Sequence, residues 1–209
     1  MDETRLTIPS GPLELEGVLH TPTGGGPVPV VVVCHPHPRY GGDMANNVVM
    51  AVVRGAVARG IAALRFNFRG VGRSAGTYDD GRGEQDDVRA ALACAAARPE
   101  VDATRLGLAG YSFGAVMAAL AADERVAALA VIAPPLAADL GDRLASFQRP
   151  LLLLAGERDQ FCPAATVRQL AVQSRAELVL VPGVDHFWFG QERRIEEAVG
   201  DFLARHLAQ

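Results

Sequence analysis

The sequence predicts an α/β fold: one domain over residues 1–209, with a mostly parallel central sheet, helices on both faces and an N-terminal antiparallel hairpin. Three observations lead there. Continuous apolar runs, Val28–Cys34 the most β-branched of them, alternate with stretches of helical period. Such runs suit strands buried on both faces of a parallel sheet. The first two strands, over residues 4–9 and 13–21, instead alternate apolar with polar residues around Ser10-Gly11-Pro12, which is the pattern of a half-exposed hairpin. A chain of 209 residues is long enough to bury a substantial single core.

Taken in order, the alternation of strand 13–21 puts His20 on the solvent side, as a surface residue rather than a catalytic one. Residues 23–27 form a loop. Strand Val28–Cys34 runs into His35-Pro36-His37-Pro38-Arg39-Tyr40-Gly41-Gly42, and Asp43 is placed to cap a helix over 44–59 that Gly60 stops. A strand over 61–67 leads into a glycine-rich turn over 68–76. Residues 83–98 are amphipathic, with Val88, Leu92 and Ala95 on one side, and Pro99 ends them. A strand over 105–110 and a helix over 113–122 flank Ser112.

The strand over 126–133 stops at Pro134-Pro135, and residues 136–147 make a short helical linker. Four successive leucines form the strand over 150–155. Pro163 opens a helix to about Ser174, where a first-turn proline is tolerated. Glu177–Val181 is the last strand. Residues 191–208 close the chain as an amphipathic helix with Ile195, Val199, Phe202 and Leu203 toward the core.

A net charge of −4 and the lack of any basic run argue against nucleic acid as a partner. The acidic start Met1-Asp2-Glu3 is unlike a signal peptide, and no apolar run is long enough to span a bilayer. Cys34, Cys94 and Cys162 are odd in number and widely spaced, which suits neither a disulfide framework nor a metal site. A reduced, cytoplasmic compartment is the expectation, without a membrane.

Gly110-Tyr111-Ser112-Phe113-Gly114 is the Gly-x-Ser-x-Gly pattern of a nucleophile elbow, where a strand reverses into a helix so sharply that flanking side chains would collide. With 22 glycines in the chain the match alone is weak, so partners must be found. A serine nucleophile needs a base, and the base needs a carboxylate to orient it. In an α/β sheet these groups belong just beyond the carboxyl ends of strands. His186 follows the last strand and Asp159 follows the leucine strand. Read alone, Asp159 is an ordinary turn carboxylate and His186 a core histidine beside Phe187 and Trp188. Together, Ser112, Asp159 and His186 each end a different strand. Asp185 is a rival for the acid role, but it cannot easily reach the imidazole of its immediate neighbour.

His35 and His37 lack a third ligand nearby, and Pro36 and Pro38 suit a rigid turn, so no metal is expected. The glycines of residues 70–76 are not followed at once by a helix, as a dinucleotide site requires, so no nucleotide is expected either. Cys34 and Cys162 read as packing residues.

On Gly110–Gly114, on the chain order Ser112, Asp159, His186, and on the turn Asn67-Phe68-Arg69-Gly70-x-Gly72-x-Ser74-x-Gly76, the chain resembles the α/β-hydrolase superfamily. It is most similar to its small dienelactone-hydrolase-like and carboxylesterase-like members, from Val28 to the last helix. Dienelactone hydrolases proper carry cysteine at the elbow; serine at position 112 turns the expectation toward ester hydrolysis without a cofactor. The resemblance implies an oxyanion hole from the Phe113 amide and a second amide after the Val28–Cys34 strand. Pro36 and Pro38 have no N–H and cannot serve; the resemblance, in which the donor lies two residues beyond the strand-end histidine, implies His37, with Tyr40 as the alternative. It also implies no cap domain, since the linker over 136–147 is too short to hold one. The site is then expected to be shallow, walled by Phe113, Tyr40, Phe161, Phe187 and Trp188, and to take small-molecule esters of short or medium acyl chain. Thioester and amide bonds stay open as alternatives, as do a non-catalytic binding role and a homodimer.

Overall fold

The computed structural model describes residues 1–24, 26–135, 137 and 139–208. Gly25, in the expected loop, and Leu136 and Ala138, in the expected linker, lie outside the described residues. Strands β1 (Asp2–Ser10) and β2 (Leu13–Thr21) pair antiparallel along their whole length, as expected. The remaining strands are β3 (Val28–Cys34), β4 (Ala62–Phe66), β5 (Val101–Tyr111), β6 (Val126–Ile132), β7 (Leu151–Gly156) and β8 (Glu177–Val181). The described strands form one eight-stranded sheet in the order β1-β2-β4-β3-β5-β6-β7-β8. From β4 to β8 all pairings are parallel.

The alternation of side chains along each buried strand splits the core in two. Val30 and Val32 of β3, with Leu106, Leu108 and Val131, face α2 (Arg82–Ala96), α3 (Phe113–Ala121), α4 (Leu140–Ser146) and α5 (Ala164–Ser174). Val31 and Val33, with Ala109, Ile132 and Leu154, face α1 (Asn47–Val57) and α6 (Glu192–Leu207). The expected core positions Val88, Leu92 and Ala95 of α2, and Ile195, Val199, Phe202 and Leu203 of α6, are all buried.

Two expectations change. Helix α1 starts at Asn47, not at Met44, because Asn46 is the cap: its side chain accepts from the Val48 N–H at 2.9 Å. The Asp43 carboxylate is used one turn earlier, on the Ala45 N–H at 2.7 Å, and the Met44 N–H goes to Asn67 Oδ1 at 2.8 Å. The second change is His20, which is fully buried rather than on the surface. β2 is not an edge: it pairs with β4 on its other side, and both its faces are covered from Gly17 to His20. His20 Nε2 accepts from Arg65 Nε at 2.9 Å, and burial, then the Arg65 charge, hold the imidazole below its usual pKa.

The turn after β4 fastens the hairpin to the sheet. Ser74 Oγ donates to the Asn67 carbonyl at 2.7 Å and accepts from the Glu16 N–H at 3.0 Å, while Asn67 Nδ2 reaches Glu16 Oε1 at 2.5 Å. Nearby, the buried Asp87 carboxylate accepts from Ser10 Oγ and from the Arg69 backbone and guanidinium, at 2.8 to 3.0 Å. Ser74 and Asn67 of this turn are thus both hydrogen-bonded within the protein.

Candidate active site

The chain reverses at Ser112, between β5 and α3, with φ +55° and ψ −121°. That region of backbone space costs a non-glycine residue about 1–3 kcal/mol and persists only where the surroundings enforce it. Two glycines show how tight the enforcement is. A Cβ at Gly110 would run into the Gly114 carbonyl, and one at Gly114 into the carbonyls of Cys34 and His35. The sharp turn packs α3 directly on the end of β3 and leaves the Ser112 hydroxyl half-buried at the tip.

The hydroxyl of Ser112 stands 3.0 Å from His186 Nε2, and His186 Nδ1 stands 2.8 Å from Asp159 Oδ2. A carboxylate can only accept, so Nδ1 carries the ring hydrogen and Nε2 presents its lone pair to the serine. Asp159 is oriented by its own loop, since its Oδ1 accepts the N–H groups of Phe161 and Cys162, each at 2.9 Å. That loop is tied to the His186 loop through Glu157 N–H to the Val181 carbonyl and Arg158 N–H to the Val184 carbonyl. Asp185 is exposed, and its carboxylate accepts from the Phe187 N–H instead.

The Phe113 and His37 amides have no acceptor among the described residues. The Tyr40 amide is excluded as an oxyanion donor, because it already donates to the His37 carbonyl at 3.1 Å within the turn over Pro38–Tyr40. His35 is buried, with Nδ1 on the Pro36 carbonyl at 2.6 Å and Nε2 accepting from the Phe68 N–H at 3.1 Å. The His37 ring accepts from the Arg39 N–H and meets the Tyr78 hydroxyl at 3.3 Å. Both imidazoles therefore use both nitrogens within the protein. Among the described residues no three His, Cys, Asp or Glu side chains are grouped to hold a metal ion. Burial pushes the Cys162 thiol up to about 12, with Asp159 adding to the rise, and raises Cys34 as well, so both stay protonated.

The expected walls divide. Phe161 and Phe187 have rings 4.9 and 5.7 Å from the His186 imidazole, and Tyr40 lies against His37, whose ring also contacts Phe113. Trp188 is not a wall: it is fully buried in the core between the sheet, α1 and α6. Its backbone stands at φ +59°, and its indole is buried while the flanking Phe187 and Phe189 stay exposed. Three residues near the site were not picked out from sequence. Tyr111 donates to the His186 backbone carbonyl at 2.7 Å, Tyr78 completes the ring cluster around His37, and Phe189 stacks on Phe187. Tyr111 carried a usable signal, since it ends β5 on the face it shares with Ala109. Tyr78 and Phe189 sit in loops, where periodicity says nothing.

The chain is 34% identical over 188 residues to an uncharacterised protein of Rickettsia prowazekii, an alignment covering 84% of this chain and 78% of that one. Among solved structures, an α/β serine hydrolase homologue from Coxiella burnetii superposes with a TM-score of 0.87 at 33% identity, covering 96% of this chain and 97% of that one. A lidless α/β serine hydrolase from Xanthomonas campestris gives 0.85 at 33% identity, covering 98% and 95%. A sequence profile described as X-Pro dipeptidyl-peptidase, family S15, matches residues 11–183, and the chain belongs to that family within the α/β-hydrolase superfamily.

Proposed function

We propose that this protein is a serine hydrolase that cleaves carboxylic esters of short to medium acyl chain through an acyl-enzyme on Ser112. The observation that carries the reading is the unbroken hydrogen-bonded path from Ser112 Oγ through His186 to Asp159, at 3.0 and 2.8 Å. In this reading His186 takes the serine proton as Oγ attacks the ester carbonyl, and Asp159 steadies the imidazolium that forms. The tetrahedral oxyanion falls to the unpartnered amides of Phe113 and His37, and loss of one such donor costs about 10²–10³ in kcat. The alcohol leaves with the proton from His186, which then activates water to release the acid.

A second reading, a dipeptidyl peptidase, is favoured by the S15 family match. The same three side chains serve amide and ester cleavage alike. Labelling with a fluorophosphonate tests the shared premise: the native protein takes up the probe at Ser112, and a folded protein that stays unlabelled removes both readings. A panel of p-nitrophenyl acetate, a matched thioester and Ala-Pro-p-nitroanilide then separates them. Turnover of the anilide at a kcat/KM equal to or above that of the ester would replace the esterase reading with the peptidase one.

A further inference from the structure

We infer that Phe161, Phe187 and Phe189 form the subsite for the alcohol portion of the substrate, and that it selects esters of extended apolar or aryl-alkyl alcohols. The inference rests on the serine-hydrolase reading above and adds the side of the site on which the leaving group lies.

The chemistry sets the direction. When Ser112 Oγ forms its bond to the acyl carbon, the bond from that carbon to the alkoxy oxygen breaks. The departing oxygen takes the proton that Ser112 gave to His186, so it must come within reach of Nε2. The alcohol therefore extends over the His186 side, and the acyl oxygen points away, toward the Phe113 and His37 amides. On the His186 side stand three phenyl rings. Phe161 and Phe187 flank the imidazole with ring centroids 4.9 and 5.7 Å away, and they meet each other edge to face at 6.4 Å. Phe189 continues the strip, stacked on Phe187 at 6.2 Å with 16° between the planes.

These rings are open and at the same time firmly held. Phe161, Phe187 and Phe189 are 51%, 45% and 77% exposed, a large apolar area for loop residues. Yet the backbone beneath them is fixed at several points. Trp188, fully buried at φ +59°, pins the loop from inside. Asn47 Nδ2 donates to the Phe187 carbonyl at 3.1 Å, Tyr111 holds the His186 carbonyl, and the Gln191 N–H closes on the Trp188 carbonyl at 3.0 Å. The Phe161 N–H is held by Asp159. A preorganised apolar strip gives up little entropy when a ligand covers it. The rings around His37 are of another kind: His37, Tyr40 and Tyr78 carry polar atoms, and the His37 ring packs on Tyr40, Tyr78 and Phe113.

The test compares ethyl acetate with 3-phenylpropyl acetate, two alkyl esters of similar leaving ability that give the same acetyl-enzyme, so that kcat/KM reports acylation alone. In the native protein the phenylpropyl ester is expected to be favoured by at least about tenfold. Phe189→Ala and Phe187→Ala should each cut that ratio by about threefold or more, and the double variant should bring it to within about twofold of unity. The ratio of ethyl 4-phenylbutyrate to ethyl acetate, which varies the acyl side, should change by less than about twofold in the same variants. Retention of the alcohol preference in the double variant, or its transfer to the acyl series, overturns the subsite. Fluorophosphonate labelling of each variant is run alongside. A labelled protein with a flat alcohol series refutes this inference alone, whereas absence of label in the folded native protein refutes the serine-hydrolase reading beneath it.

Discussion

The phenol of Tyr111 donates a 2.7 Å hydrogen bond to the backbone carbonyl of His186, joining the end of β5 to the loop after β8 across 75 residues of sequence. Burial, followed by the Asp159 and Asp185 charges, raises the phenol pKa, so it remains a donor across the working range. Tyr111→Phe keeps the ring packing but leaves that carbonyl unpaired, at about 1–3 kcal/mol by urea denaturation. The imidazole then loses a fixed seat. kcat on p-nitrophenyl acetate should fall about tenfold with KM nearly unchanged. Equal effects on kcat and KM would count against a positioning role.

Asp159→Asn should fold normally and lose about 10⁴ in kcat. The Phe161 and Cys162 amides, now on Oδ1, will select the amide oxygen of the new side chain. The NH₂ group is then left facing His186 Nδ1. That forces the hydrogen onto Nε2, where it confronts Ser112 in the wrong tautomer. Asp185→Asn should retain kcat to within about twofold, since a side chain exposed to water is not orienting the ring. The opposite ranking in steady-state kinetics would transfer the acid role.

Gly114→Ala should yield little soluble, folded protein. The added Cβ meets the main-chain carbonyls of Cys34 and His35, which have no rotamer through which to yield. Gly141→Ala is the control. It lies in α4, where the nearest atom to its Cβ is 3.6 Å away, and should raise stability by about 0.5–1 kcal/mol in thermal melts. A well-folded, active Gly114→Ala protein would show that the elbow is less tightly closed than these contacts require.

His35 predicts a pH dependence of stability. Burial pulls its pKa down to about 4, against a weaker upward pull from the Pro36 carbonyl and Asp43, while in the unfolded chain it titrates near 6.5. Between those values the unfolded state binds more protons, so stability is complete above about pH 6.5 and declines as pH falls toward 4. The loss from this residue is on the order of 3 kcal/mol. In His35→Gln the slope of unfolding free energy between pH 6.5 and 4 should be shallower by about one proton. Parallel profiles for the two proteins would remove His35 as the source.

The elements of this fold were readable from sequence because most of them are decided locally. Apolar runs, a β-turn and helical periods placed the strands and helices, and proline or glycine marked their ends. Ser112, Asp159 and His186 were legible for a related reason: each follows a strand, and a parallel sheet delivers all such positions to one edge. The exclusion of Pro36 and Pro38 as amide donors likewise needed only covalent chemistry.

What the sequence could not convey was which neighbour covers a given face. His20 read as exposed from an alternating pattern, but β4 pairs beside β2, and an edge-strand pattern carries no record of that second partner. Trp188 read as a wall because it lies two residues from His186, whereas it packs into the core on the α1 and α6 side of the sheet. The loss of the Tyr40 amide to the His37 carbonyl, and the anchoring of His186 by Tyr111, likewise depend on the path of the chain in space. Residue type and order along the chain therefore determined the sheet, the elbow and which three side chains meet beyond the strand ends. Tertiary packing alone decided which aromatic rings face solvent and which polar groups are already spoken for, because burial and hydrogen-bond partnership are properties of pairs brought together from distant parts of the chain.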